Sequence, residues 1–92
     1  MDRFQVGDIV QHFKREQVDQ NTSEYLYKIL AFASHTETGE RLVIYQALYF
    51  PFKVCARPYD MFISKTDKVK YPNAKQEYRF ELLSREKFPV HD

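Results

Sequence analysis

Gln46 and Arg57 are the pair in this sequence whose chemistry best suits a ligand grip. An amide beside a guanidinium offers several donors and one carbonyl acceptor in a fixed array, which fits a carboxylate, a phosphate or a base edge. The two meet only under one register. If the connection Phe50-Pro51-Phe52-Lys53 pairs Tyr49 with Val54, Gln46 falls opposite Arg57 and Leu48 opposite Cys55, all on one face. A one-residue slip breaks that grouping. A structural hydrogen bond under a loop is the plainer role for the pair.

His35 and Glu37 have the types a general base and its carboxylate partner need, although an exposed turn histidine is the plainer reading. His12 sits mid-strand between Gln11 and Phe13, where a partly buried, satisfied imidazole is the ordinary outcome. His12, His35, His91 and Cys55 lack metal-ligand spacing, so neither a metal nor another cofactor is expected. Cys55 would need a base and a lowered pKa to act as a nucleophile, and Arg57 on its face could supply the second. Lys65, Lys68, Lys70 and Lys75 form a basic stretch with Tyr71 and Tyr78 interleaved. Such a stretch could contact a phosphate backbone and a stacked base; a solvated lysine-rich loop competes with that role. With only Gly7 and Gly39 there is no phosphate-cradling glycine loop, which weighs against a nucleotide hydrolase or kinase.

Strands must position these groups, because helical periodicity is weak. Ile9–Phe13 reads as a first strand and Lys14–Glu24 as a polar loop. Tyr25–Ser34 is a long second strand, apolar on both faces at Ile29, Leu30, Ala31 and Phe32, as in a strand buried on both sides or bent across a barrel. A turn at His35–Glu40, with Gly39 for a positive φ, returns the chain to a third strand over Arg41–Tyr49. Val54–Arg57 is a short fourth strand, ended or placed at an edge by Pro58. Tyr59–Phe62 fits a 3-10 turn, Ile63–Lys65 a further short strand and Glu77–Leu83 a last one. The fold class expected is mainly β: a small SH3-like barrel or roll of five to six short antiparallel strands.

Composition sets the frame. Ninety-two residues allow one domain (1–92), with an ordered core over about 4–83 and a fraying tail over 84–92. Fourteen Lys and Arg against thirteen Asp and Glu give a net charge of +1, which argues against a nucleic-acid tail or polybasic anchor. No apolar run nears the ~20 residues of a membrane span, and the first residues lack a signal-peptide core. With one cysteine and no export signal, a cytoplasmic setting is expected. Eight Phe and seven Tyr are the main material for a core.

The series His12-Phe13-Lys14, His35–Gly39, Val43–Tyr49, Arg57-Pro58 and Met61-Phe62 resembles a small bacterial family, domain of unknown function family number 1653, across residues 4–83. The resemblance implies an SH3-type barrel and no catalytic activity. Two positions depart from its pattern: Arg15 and a longer loop follow Lys14 where the family usually has Gly and a short loop, and Cys55 stands where it usually has Trp.

The function expected is a non-enzymatic binding module. Tyr27, Tyr45, Tyr49 and Tyr59 are its candidate aromatic surface, and Gln46 and Arg57 its polar specificity, with His12 and His35 as further ligand contacts. A protein or a small anionic ligand is the expected partner. The alternatives are nucleic-acid contact through Lys65, Lys68 and Lys70, or a minor enzyme using His35/Glu37 or Arg57/Asp60. No membrane partner is expected. The chain is expected as a monomer, or as a homodimer anchored by exposed Phe50 and Phe52.

Overall fold

Alternating apolar residues organise the chain into five antiparallel strands, seen in a computed structural model that describes residues 3–85. They are β1 (Ile9–His12), β2 (Leu26–Ser34), β3 (Arg41–Ala47), β4 (Val54–Pro58) and β5 (Phe80–Ser84), in the order β4-β3-β2-β1-β5. The protein is therefore mainly β, with one sheet and little helix. Along β3, Val43, Tyr45 and Ala47 are buried while Leu42, Ile44 and Gln46 face the other way. The register carries that inner face across the sheet through Ile29 and Tyr27 on β2, Val10 and His12 on β1, and Phe80 on β5.

β2 shows how the doubly apolar stretch is used. Ile29 pairs with Tyr45 but Ala31 with Ile44, so Leu30 is an extra residue at a bulge. The bulge turns Phe32, three residues after Ile29, to the same inner face, opposite Val43. Bulges also raise local twist and bend the strand. The bend is large. In a flat sheet, β3 and β5 would stand about 14 Å apart, at about 4.8 Å per strand. Yet the Tyr45 and Phe80 ring centroids are 5.6 Å apart. The sheet thus curls around a core of Phe4, Val10, Ile29, Val43, Tyr45, Phe62 and Phe80. Phe62 and Phe80 stack face to face at 4.2 Å.

Several local expectations are corrected. Phe13, read as the end of the first strand, and residues 14–17, read as loop, form a 3-10 helix, Phe13–Gln17. His12 Nδ1 accepts the Lys14 N–H at its start. Buried Arg15 donates to the carbonyls of Glu24 (2.7 Å) and Gln20 (3.3 Å), tying down the segment that follows. Tyr59–Phe62 is a single α-helical turn (α1) and not a 3-10 turn, because the Ile63 N–H reaches back four residues to the Tyr59 carbonyl at 3.0 Å. The short strand read at Ile63–Lys65 reduces to one bridge between Lys65 and Tyr78.

Ser84 pairs with Ile9, and Arg85 holds buried Asp8 through two 2.9 Å bonds. The rest of the expected tail, with Phe88, Val90 and His91, lies outside the described residues. Among the described residues no helix is long and apolar enough to cross a membrane.

Candidate anion-binding cleft

The inner face of the sheet ends in a cleft of about 290 Å³. Three elements and one loop build it. β1 contributes His12, directly opposite Phe80 of β5. β4 contributes Arg57, opposite Val43 and therefore on the inner face. The 3-10 helix contributes Phe13 and Lys14. Lys70 and Tyr71 come from residues 66–76, and Arg79 stands immediately before β5.

Four cations thus surround the opening: Lys14, Arg57, Lys70 and Arg79. Among the described residues none of them makes an ion pair with a carboxylate. The one acid in the lining, Asp67, turns to its own loop, where Oδ1 accepts the N–H groups of Val69 (3.0 Å) and Lys70 (3.1 Å). Among the described residues, Arg57 is held at one nitrogen only. Its Nε donates to the buried Tyr45 hydroxyl at 3.1 Å, and its guanidinium lies 5.8 Å from the Phe80 ring centre. The buried Nε of Arg79 has no partner among the described residues.

His12 completes the chemistry. Its ring packs 4.3 Å from Phe13 and edge-on to Phe80 at 5.1 Å. Burial first, then the charges of Lys14, Arg57 and Arg79, lower its pKa from 6.5 to about 4. At neutral pH the ring is uncharged. Since Nδ1 accepts the Lys14 N–H at 3.1 Å, its proton sits on Nε2, making it a neutral donor among fixed cations. Donors and positive charge without a competing carboxylate form a site for an anion.

The loop wall is mounted on Glu16. Its carboxylate accepts the N–H groups of Lys75 (3.0 Å) and Gln76 (2.6 Å). The Lys75 amide is the main cause holding the Glu16 carboxyl below its ordinary range; slight burial opposes it, and the Gln76 amide and the charges of Lys68 and Lys75 assist. Gln76, buried, is joined to Gln11 of β1 through two bonds, at 3.1 and 3.2 Å. So anchored, Tyr71 packs 4.8 Å from Phe13, with the ammonium groups of Lys14 and Lys70 at 5.7 and 5.5 Å from its ring centre.

Of the residues read from sequence, His12, Arg57 and Lys70 come together here, with Tyr45 directly behind Arg57. Tyr27 lies deeper. Its hydroxyl bonds that of Tyr49 at 2.6 Å, and burial, then Tyr49, pushes its pKa far above the ordinary tyrosine value.

The grouping of Gln46 with Arg57 is corrected. Gln46 pairs with Val54, and Arg57 with Val43. The hairpin register differs by three residues from the one that would have joined them, and an odd shift changes face. Gln46 therefore points outward, where its amide donates to the Phe52 carbonyl at 3.1 Å. Cys55 faces Tyr45 across the strands, not Leu48.

His35 stays in the β2–β3 turn and does not line the cleft; its Nδ1 accepts the N–H groups of Glu37 (3.1 Å) and Thr38 (3.4 Å). Asp60 sits on α1, also away from the lining. Lys65 pairs with Glu77 at 3.6 Å, and Lys68 donates to the carbonyls of Ala74 and Gln76. Lys14 and Arg79 were not singled out as site residues. Alternation would place Arg79 on the face opposite Phe80, but β5 starts at Phe80 and alternation does not govern the residue before it. Among the described residues no cluster of three His, Cys, Asp or Glu could hold a metal.

Fold and site together define a mainly-β protein with a basic, ring-lined cleft on the curled face of its sheet. No curated protein and no solved structure matches the chain. A family model does, over residues 8–82, and the chain belongs to that family, described as protein of unknown function (DUF1653).

Proposed function

We propose that this protein is a non-enzymatic binding module whose cleft takes an anionic group, a phosphate or a carboxylate. One observation carries the reading: Lys14, Arg57, Lys70 and Arg79 converge on one concavity with no carboxylate ion-paired to them among the described residues. Like charges gathered this way repel one another, and an anion relieves that repulsion while accepting their hydrogen bonds. Neutral His12 adds a donor. The strand order, with α1 between β4 and β5, supports an SH3-type barrel as the scaffold of one domain. The lone Cys55 is compatible with a reducing cytoplasm.

The minor-enzyme alternative gains little. His35 and Glu37 are joined through a backbone amide in a turn, not through their side chains. Nuclear magnetic resonance titration of the labelled chain with inorganic phosphate and with citrate tests the proposal. Shifts centred on His12, Lys14, Arg57, Lys70 and Arg79, weakened in Arg57→Gln, are expected. Shifts absent there, or unchanged in Arg57→Gln, would overturn it.

A further inference from the structure

Tyr71 is shared by two clefts. Beside the anion cleft lies a second cavity of about 180 Å³, and Phe13, Lys70 and Tyr71 line both. The two differ in chemistry. The first gathers cations. The second offers the ring, Pro72 and the carboxamides of Gln17 and Asn73. Both amides belong to exposed residues, and neither has a side-chain bond to the described residues. The acid in this second lining, Glu16, is occupied by the Lys75 and Gln76 amides. Carboxamides present a donor and an acceptor side by side, as the edge of a nucleobase requires.

The rings also continue beyond the first cleft. Centroid spacings are 4.3 Å from Phe13 to His12, 5.9 Å on to Tyr25 and 6.0 Å on to Tyr49. A small anion would use the first cleft alone. An acidic peptide would meet the cations but leave the ring and amides idle. A duplex hides its base faces. A single strand brings phosphates and unstacked planar bases in alternation, and cations interleaved with rings are what such strands bind.

We propose that the two clefts that share Tyr71 bind a single-stranded oligonucleotide, a phosphate lying against Lys14, Arg57, Lys70 and Arg79 and a base against Tyr71, Pro72 and Asn73. This rests on the anion-cleft reading and names its ligand class.

Fluorescence anisotropy of the full chain with labelled single-stranded DNA and RNA of about six nucleotides tests it. Competitors are inorganic phosphate, a nucleoside monophosphate, a duplex of the same sequence and an Asp/Glu-rich peptide. The strand should bind at least ten-fold tighter than the monophosphate, and unlabelled strand should displace the labelled one more readily than the duplex or the peptide does. Its log affinity should fall with log salt at about −0.7 per phosphate neutralised. Asn73→Ala, which alters the second cavity alone, should weaken the strand while phosphate still shifts the Arg57 resonances; Tyr71→Leu should weaken the strand about ten-fold or more, and Tyr71→Phe should retain strand binding. Phosphate binding with no gain for the strand overturns this inference and leaves the anion cleft standing. A duplex or peptide that binds as well, or a silent Tyr71→Leu, overturns it too. Failure of both phosphate and strand to bind removes both readings.

Discussion

At the residue scale, His12 and Asp8 respond to acid in separate pH windows. His12 is harder to protonate in the fold than in the open chain, its pKa falling from 6.5 to about 4. Between those values the unfolded state binds more protons, so stability is complete above pH 6.5 and declines toward pH 4. His12→Asn, which keeps a capping acceptor, should flatten the Tm profile across that window. Asp8 acts lower. Burial alone would raise its carboxyl, but the Arg85 and Gln5 bonds and the Arg85 charge together hold it below the ordinary 3.8. Its contribution is present above that value and lost as pH falls through the depressed one, so Asp8→Asn should lessen the acid sensitivity below pH 3.8, to which Glu16 also contributes, and leave the upper window intact. His12 also reports the ligand: a bound anion offsets the neighbouring cations, and its pKa should rise when phosphate is added. These residues were unequally legible in the sequence. His12 and Arg57 stood out by type and by the face their strands present. Gln46 was misplaced because the hairpin register, which decides its face, depends on how Phe50–Lys53 turns, and a composition of Phe and Pro does not specify that.

At the element scale, the ligand wall is only as firm as the Glu16 latch. Glu16→Ala should speed hydrogen exchange at the Lys75 and Gln76 amides and weaken anion binding through Lys70 and Tyr71, with little change in Tm. Gly39 tests a different element. Its φ of +75° lies in the left-handed region, and open space surrounds it, so Gly39→Ala meets only the backbone cost. That cost is about 1 kcal/mol, a Tm drop of about 4–8 °C in a domain this small; calorimetry reads it. The five strands were legible because β-branched and aromatic runs alternate between clear turn residues. The 3-10 helix Phe13–Gln17 was not, since it depends on Arg15 turning inward to carbonyls of a later loop, and periodicity reads an arginine as surface. The bulge at Leu30 was visible only as an apolar excess in β2.

At the scale of the whole molecule, core and cleft share one ring. Phe80 stacks on Phe62 within the core, and the Arg57 guanidinium lies near its ring at the cleft. Phe80→Ala should cost about 3–5 kcal/mol, a large part of the roughly 5–14 kcal/mol available to a domain of this length, and denaturant unfolding should show it. Phe80→Leu should keep the fold but loosen Arg57 and weaken anion binding. The curl of the sheet is what brings β4 and β5 residues to one opening; net charge, nearly balanced over the chain, gave no sign of it, because the cations are separated in sequence and joined only by that curl. The most direct measurement is the ¹H–¹⁵N titration of the full chain with inorganic phosphate at low salt, in parallel with Arg57→Gln. The account expects saturable shifts at His12, Lys14, Arg57, Lys70 and Arg79 that the substitution diminishes. Shifts scattered over the surface, or identical in the two proteins, would contradict it.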